Sequence, residues 1–397
     1  MGARDIEPAL KLYKEEVTRS EDKLLRLMDE GVLLRVGRQF EESNKRFFEA
    51  AKLIEMNGYT SLGEQAATLL TNERQTTYQG EDFEKVLVHL YLGLNFLELK
   101  QESEAQVEMR KVNEILQAMK SNGRAEYEFN AFAKYLGGVL FENSGDLNDA
   151  LVSYRNTLSM DSNLQKNFPN LGEDILRLGI KLGFVEEIAD WKKQFGEEAA
   201  KNAKNILENK LGSLVLVYES GKSPLKYSTK EYHRKTGRGG SLVEVLVPLS
   251  YYKERRTQIQ RARIKIQSRQ EETAVLNSIE STAVRQLKDR MGRQVAKALA
   301  VAATKVAVAT AIGKAANSQD AGVLAGLALM LMSEADTRSW LLLPANLQIA
   351  RVFLPAGTYS AQIEFLNASG GVARVQDVKD IRVKSSKASF VALRSFD

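Results

Sequence analysis

The spacing of hydrophobic positions changes once along the chain, near Leu211. Before that point apolar residues recur every three or four positions, as in KLLRLMDEGVLLRV at 23–36 and in the run that begins at Phe83. This spacing predicts amphipathic helices. After it, GSLVLVYESG at 212–221 and LVEVLVPLSYY at 242–252 are short runs of apolar and β-branched residues, which predict strands. The pattern therefore predicts an all-α first half and a second half that contains β-strands.

Small residues mark one unit of the helical half, at residues 133–160. Gly138 lies in the first of two short predicted helices, Gly145 at the turn between them, and Ala150 in the second helix. A small residue at these positions lets two helices approach closely. A helix pair this short cannot bury its apolar face alone, so it is expected to stack on copies of itself.

Copies of the unit follow when Gly31 and Gly93 are aligned with Gly138, and Ala105 then takes the place of Ala150. A weaker copy contains Gly179. These positions resemble the tetratricopeptide repeat over about residues 20–200. The resemblance implies a superhelix of helix pairs, although the copies lack the expected aromatic residue early in the first helix and are irregularly spaced. The alternative is an ordinary helical bundle with small residues at chance positions.

The predicted fold is α+β with two domains, a helical-repeat domain at 1–210 and an α+β domain at 211–397. The segment 222–241 is basic and rich in glycine, and it is predicted to be a loop. Closely spaced strands at the end of the chain predict a small antiparallel sheet or sandwich. The strands near 213 and 242 are expected to join it. The elements predicted after Leu211 are strands at about 213–218, 242–249 and 258–267, helices at about 278–316 and 320–334, and five strands within about 348–395.

The amino-acid composition limits the kinds of functional site that the chain can contain. The chain has 397 residues, no cysteine and two histidines, so disulfides, thiolate zinc sites and cysteine nucleophiles are excluded. His89 lies within a predicted helix and His233 within the predicted basic loop, and neither belongs to a metal or catalytic motif. No cofactor, metal site or catalytic residue is predicted. The net charge of +5 is small for this length, so nucleic acid is not an expected partner.

Two segments of the second half resemble a known family. VLVYESGKSPLK at 215–226 and ADTRSWLLLPANLQIARVFLPAGTY at 335–359 are similar to an uncharacterised family of Gram-negative envelope proteins, in which helical repeats precede a β-rich half. The resemblance implies a periplasmic protein, often lipid-anchored at the outer membrane and associated with lipoproteins that assist cell-wall synthesis. It brings no catalytic residue. The first residues, MGARDIEPALK, lack a secretory pattern, so this interpretation needs a signal peptide or lipidated cysteine before Met1.

The leading functional hypothesis is a non-enzymatic scaffold that binds a protein or peptide partner on the concave face of the superhelix. The residues expected to be exposed on that face are Tyr91, Asn95, Asn130 and Lys134. The second domain would anchor or oligomerise the molecule.

A second candidate region is the polar cluster of Asp336, Arg338 and Trp340. An acid, a guanidinium and an indole within five residues predict a fixed structural cluster, because buried charges are usually paired. The alternatives are a ligand site there, or a hydrolase-type enzyme that uses Asp336, Arg338 and His233. A third hypothesis is a membrane-associated or ring-forming protein that uses the Ala/Gly-rich helices at 278–334. Buried helices are favoured over membrane insertion because the second apolar run is shorter than the roughly 20 residues that a span needs.

Overall fold

The computed structural model describes residues 6–16, 22–58, 77–121, 130–161, 163–236, 242–318, 320–321, 324 and 335–396. The described part of the first half is helical, and its last helix ends at Glu208. The predicted short helix at 62–72 lies outside the described residues. The helices are α1 Glu7–Glu16, α2 Lys23–Val36, α3 Phe40–Gly58, α4 Asp82–Glu98, α5 Glu102–Ser121, α6 Asn130–Ser144, α7 Leu147–Met160, α8 Leu164–Asn167, α9 Asn170–Leu182, α10 Val185–Phe195 and α11 Glu197–Glu208.

Successive helices pack in pairs, α2 with α3, α4 with α5, α6 with α7 and α9 with α10. The repeat glycines lie at these contacts. A Cβ atom added to Gly31 would lie 2.6 Å from the ring of Phe47, and one added to Gly138 would lie 2.7 Å from the ring of Tyr154. Gly93 faces the end of Met109 in the same way, and Ala105 and Ala150 are buried. The first half is therefore a tetratricopeptide-like stack of helix pairs.

The second half forms two four-stranded sheets and a separate hairpin. Sheet 1 has the order β10-β1-β7-β6, and sheet 2 has the order β5-β4-β8-β9. The hairpin is the pair β2–β3. The strands are β1 Gly212–Ser220, β2 Leu225–Thr236, β3 Leu242–Lys253, β4 Ile259–Ile266, β5 Arg269–Glu272, β6 Ala274–Ser278, β7 Asn346–Leu354, β8 Gly357–Asn367, β9 Val372–Val383 and β10 Ala388–Arg394.

Sheet 1 lies between the helices and sheet 2. On one face, Val215, Val217 and Ile349 share a single core with the helix pairs, while on the other face Leu214 and Leu216 pack with the core of sheet 2. Every residue of β1 is buried. A strand covered on both faces is apolar at successive positions, which is why β1 reads as an uninterrupted apolar run.

The helix α12, Ile279–Ala315, follows β6 and is 37 residues long, roughly 55 Å at 1.5 Å per residue. The hydroxyl of Ser278 caps its first turn by accepting a hydrogen bond from the amide of Ser281 at 3.1 Å. Met291, Val295 and Leu299 pack against residues of β3. The hairpin and α12 together make a structural unit outside the two stacked sheets, which we call the arm (225–236, 242–253 and 279–315).

Two predictions about the strands near the arm are wrong. The predicted loop at 222–241 contains β2, whose twelve residues pair with β3 over its full length. The strand near 242 does not join the C-terminal sheet, because within the described residues β3 pairs with β2 alone. The predicted helix at 320–334 falls almost entirely outside the described residues.

The C-terminal strands number four in the described residues, where five were predicted. Two of the predicted strands, at 372–376 and 380–384, form one continuous strand, β9, which ends at Val383. Two of its residues, Lys379 and Asp380, lie opposite Ser360 alone, which makes a β-bulge with Asp380 at φ +58°. Nor is sheet 1 purely antiparallel, since β1 pairs with β7 antiparallel and with β10 parallel.

Candidate functional site

The face of the helical layer predicted to bind a partner is covered by sheet 1 of the same chain. The helices α4 and α6 contact strands of that sheet, and α2 and α9 are joined to it by ion pairs. Tyr91 is 1% exposed and Asn95 is 0% exposed. The prediction that these two residues form an exposed partner-binding surface is therefore wrong. Lys134 is half-buried and interacts within the chain, and the side chain of Asn130 lies outside the described residues.

A buried glutamate of β1, Glu219, ties sheet 1 to the first two helix pairs. Its carboxylate accepts hydrogen bonds from Arg35 Nη2 at 3.1 Å and from the hydroxyl of Tyr91 at 2.9 Å. Arg394 of β10 lies 3.4 Å from the same carboxylate. Burial and the charge of Glu219 raise the pKa of Tyr91 well above its ordinary value, so this tyrosine stays a neutral donor.

Asn95 extends this network into the helical layer. Its side-chain oxygen accepts from Arg35 Nη1 at 2.7 Å, and its side-chain nitrogen donates to Ser43 Oγ at 2.8 Å and to Asn44 Oδ1 at 2.9 Å. Both ends of the amide are satisfied inside the protein. Asn95 therefore joins α2, α3 and α4 rather than offering hydrogen bonds to a partner.

A second buried network is centred on Arg351 of β7. This guanidinium donates to Asp174 Oδ1 at 2.9 Å, to Glu142 Oε2 at 3.3 Å, to the hydroxyl of Tyr154 at 3.1 Å and to Ser213 Oγ at 3.0 Å. Its side chain is only 2% exposed. Arg351 thus joins sheet 1 to the third and fourth helix pairs, as Glu219 joins it to the first two.

Two cations hold the Glu142 carboxylate of this second network in its ionised form. Burial acts to raise the pKa of Glu142, but the charges of Arg177 and Arg351 outweigh it and hold that pKa well below its ordinary value. Arg177 bridges the two acids, with Nη1 2.5 Å from Glu142 Oε1 and Nη2 2.9 Å from Asp174 Oδ1. Two acids and two guanidiniums thus form one buried, mutually paired cluster between the helical layer and sheet 1.

The cluster of Asp336 and Arg338 is a paired structural element. Arg338 Nη2 lies 2.8 Å from Asp336 Oδ2, and its Nη1 lies 2.8 Å from Asp22 Oδ1 next to α2. The carboxylate of Asp336 also accepts the backbone amide of Arg338 at 2.9 Å. The segment is thereby fastened to the start of the first helix pair.

Trp340 is the apolar part of the same attachment. Its ring is buried with its centroid 6.0 Å from that of Phe47 and 5.7 Å from that of Tyr91, and its backbone amide donates to Glu84 Oε1 at 2.7 Å. Burial raises the pKa of Glu84 to about 7. The indole therefore fills space between the helical layer and the sheet.

The described residues give the hydrolase alternative no assembled site. Asp336 and Arg338 line none of the described cavities, and the side chain of His233 lies outside the description. His89 Nδ1 lies 2.7 Å from Glu108 Oε2, at the contact between α4 and α5. Over the described ranges, no three His, Cys, Asp or Glu side chains are grouped as metal ligands would be.

The sequence did not lead us to predict the charged residues that join the two halves. Glu219 ends the apolar run of β1, and Arg351 interrupts the apolar run of β7. A charged residue inside a run that is otherwise buried needs a partner of opposite charge. That signal predicts that such residues are paired, but it does not identify the partners.

Together these features define a class of protein: a tetratricopeptide-like helical layer whose inner face is closed by its own β-sandwich.

No family model matches the chain, and no curated protein matches it either. Among solved structures, the chain is similar to MamA at 12% identity over 51% of this chain and 92% of that one, with a TM-score of 0.32. The apo form of RapI matches at 12% identity over 52% and 68% of the two chains, with a TM-score of 0.34. YrrB, described as a TPR protein with an unusual peptide-binding site, matches at 15% identity over 51% and 84%, with a TM-score of 0.32. These likenesses cover about half of the chain.

The membrane hypothesis rested on the Ala/Gly-rich helices. Within the part of the chain that the structure describes, no helix combines the length and the apolar character needed to cross a bilayer.

Proposed function

We propose that the protein is a non-enzymatic protein–protein interaction scaffold whose partner contacts the outer helices of the repeat layer. The observation that carries this proposal is the closure of the inner face, where Arg35, Asn95 and Asp174 are all engaged within the chain. A partner of the helical layer then has the outer helices, α3, α5, α7 and α10, as its available surface.

Apolar side chains on the outer helices support the proposal. Val107 of α5 is 46% exposed and Val152 of α7 is 54% exposed. Both follow their repeat glycine by the same interval, 14 residues from Gly93 and from Gly138, so the stack presents them at equivalent positions. Phe48 of α3 is also exposed. Because Val107 and Val152 recur at equivalent positions of two repeats, they differ from the single exposed apolar residues found on any surface.

Photo-crosslinking from single positions tests the proposal. A benzophenone side chain at Val107 or Val152 of the full chain is expected to give an adduct of one defined mass with a protein from the native host. Val375 on β9 is the matched control because it is 48% exposed and lies in sheet 2, away from the helices. Equal adducts from all three positions, or adducts from Val375 alone, would contradict the proposal.

The proposed location is the periplasmic side of the bacterial envelope, either free or anchored to the outer membrane. The support is the resemblance of 215–226 and 335–359 to envelope proteins. Fractionation of the native host tests this separately: recovery in the osmotic-shock or outer-membrane fraction is expected, and recovery with cytosolic markers would refute it.

A second candidate function is self-assembly through the arm. Val308 and Ile312, four residues apart near the end of α12, are both exposed, and residues at this spacing lie on one helix face. If copies pair through this face, Ile312→Glu should lower the molar mass measured by light scattering. An unchanged mass with wild-type protein already monomeric would remove this candidate.

A further inference from the structure

A polar cleft of about 260 Å³ lies where the fourth helix pair meets the β-sandwich. The helices α9 and α11 form one wall, and the strands β5 and β7 form the other. The lining includes two glutamates, Glu173 and Glu271, and two arginines, Arg269 and Arg351. Asn170, Asn202, Ile206 and Phe353 complete the part of the lining that could contact a ligand. At the floor of the cleft the two walls are in contact: Asn170 Nδ2 donates to the backbone oxygen of Arg351 at 3.3 Å, and Ile206 packs with Phe353.

Two carboxyl groups face this cleft from opposite walls, Glu173 in the first turn of α9 and Glu271 in β5. In the described part of the chain neither forms an ion pair. Glu173 Oε1 accepts a hydrogen bond from Asn202 Nδ2 at 2.8 Å. The lining guanidinium of Arg269 donates to the backbone oxygen of Phe353 at 2.5 Å instead of to a carboxylate.

The surroundings disfavour two negative charges here. Burial raises the pKa of Glu271 to about 7, with the charge of Glu173 as the second cause. Burial also raises the pKa of Glu173, against the hydrogen bond from Asn202. Like charges in a partly desolvated space repel each other, and a cation between them relieves the repulsion.

The other residues that line the cleft indicate which kind of cation it can bind. On the helical wall, Asn170 and Asn202 donate through their side-chain nitrogens within the chain, and their side-chain oxygens are further hydrogen-bond acceptors. Ile206 and Phe353 supply apolar surface. A guanidinium offers five N–H donors and an ammonium three, each at the end of an apolar chain. A divalent metal ion prefers six or more oxygen ligands in a defined geometry, which two carboxylates on separate walls do not provide.

We propose that this cleft binds one guanidinium or primary ammonium group, held between the carboxylates of Glu173 and Glu271 with its apolar stem against Ile206 and Phe353. The same group occurs on an arginine or lysine side chain of a protein and on a free polyamine. The inference is independent of the outer-helix proposal, because it concerns a different surface and is tested with small molecules.

Titration calorimetry of the full chain with N-acetyl-arginine amide tests the proposal. The matched control is N-acetyl-citrulline amide, which has nearly the same shape without the charge. We expect the arginine compound to bind at least tenfold more tightly at pH 8. Equal affinity of the two compounds would overturn the proposal.

Two further probes identify the source of the cation. Putrescine carries ammonium groups without a peptide backbone, so tighter binding of putrescine than of N-acetyl-lysine amide would assign the site to free polyamines, and the reverse order to a protein side chain. Magnesium or calcium chloride is the third probe. Binding of metal with no binding of any organic cation would overturn the proposal.

Variants locate the site. Glu271→Gln and Glu173→Gln each keep the side-chain shape and are expected to weaken binding of the arginine compound at least tenfold. The control Glu208→Gln removes an exposed carboxylate at the end of α11 and is expected to leave the affinity unchanged. If all three variants bind like the wild-type chain, the cation binds elsewhere and the proposal fails.

The pH dependence gives an independent readout. Protonation of Glu271 removes one of the two charges, so the affinity for the arginine compound should fall as the pH is lowered from 8 to 6. The other charged groups around the cleft are Arg269 on β5, Glu173, Asp174 and Arg177 on α9, Glu198 on α11 and Arg351 on β7. In Glu271→Gln the residual affinity should depend on pH less than in the wild-type chain. An equally steep dependence in that variant would contradict the assignment to Glu271.

Discussion

The inner and outer faces of the helical layer are built from the same repeats but differ in their surroundings. On the inner face, Arg35 and Asp174 are buried and paired with charges of sheet 1. On the outer face, Val107 and Val152 remain exposed. Helix pairs that could line a groove instead form one wall of a shared core. A repeat pattern in a sequence therefore predicts helix pairs without predicting which of their faces is available to a partner.

The polar character of the inner interface explains how the layers are aligned. Replacing a buried ion pair by apolar residues is often neutral for stability, whereas removing one partner of the pair is costly. The networks around Glu219 and Arg351 lie at opposite ends of the row of helix pairs and both hold strands of sheet 1. We infer that they fix the position of the sheet along the helices, while the apolar core supplies most of the stability.

The largest effect is expected when the helical layer is separated from the sheets that cover its inner face. Residues 1–210 alone would expose Tyr91 and its apolar neighbours and would leave Arg35 and Asp174 without their partners. We expect this fragment to bind the dye ANS strongly and to lack a cooperative thermal transition by circular dichroism. Co-expression with residues 211–397 should restore both properties. A fragment that unfolds cooperatively and binds no more dye than the full chain would show that the helical layer is independent of the sheet.

The next largest effect concerns the buried ion network. Arg351→Met leaves the buried Asp174 and Glu142 each short of one cation and should lower the free energy of unfolding by about 3–5 kcal/mol. The matched control is Arg263→Met in sheet 2. Arg263 also pairs with two carboxylates, Glu272 and Glu364, but its side chain is 24% exposed, so the cost should be at most about 1 kcal/mol. Urea unfolding midpoints measure both, and equal losses would contradict the distinction between buried and exposed networks.

Much of the fold follows from local patterns. The three- and four-residue spacing of apolar positions predicted the helices from α2 to α7, and the switch near Leu211 predicted β1. The helix predicted at about 278–316 begins where expected, with Ser278 as its N-cap. These features are encoded by neighbouring residues, so a single sequence is enough to recognise them.

Long-range contacts could not be predicted in this way. Tyr91 and Asn95 were assigned to an exposed surface because the concave face of a repeat superhelix was expected to be open to a partner. Their buried partners, Glu219 and Arg35, lie 128 and 60 residues away in sequence. The strand β2 was missed because KYSTKEYHRKT is largely polar, and only its pairing with β3 identifies it as a strand. The carboxyl pair of the cleft was missed for the same reason, since Glu173 and Glu271 are brought together by the fold.

A smaller effect distinguishes two repeats within the layer. Gly138→Ala places a methyl group against the ring of Tyr154, which is held by hydrogen bonds to Glu142 and Arg351. We expect a loss of about 1–3 kcal/mol. In Gly93→Ala the new methyl group is too close only to the flexible end of Met109, and its other neighbours, Ala105 O and Glu108 Cβ, lie at ordinary contact distances of 3.5 and 3.7 Å. Since alanine is favoured over glycine in a helix by about 1 kcal/mol, the net change there should be near zero. If thermal melts show the two variants equally destabilised, the rigidity of Tyr154 is not the cause.

The smallest effect on stability is expected on the outer face. Val152→Lys changes a side chain that is already exposed, so the urea midpoint should correspond to a change within about 0.5 kcal/mol. The same substitution adds a charge in the middle of the proposed contact surface, and crosslinking from Val107 should then be lost. The two readouts separate folding from recognition, because a structural residue would move both. A midpoint lowered as far as in Arg351→Met would mean that Val152 is covered in solution, and the outer face would then be no more available to a partner than the inner one.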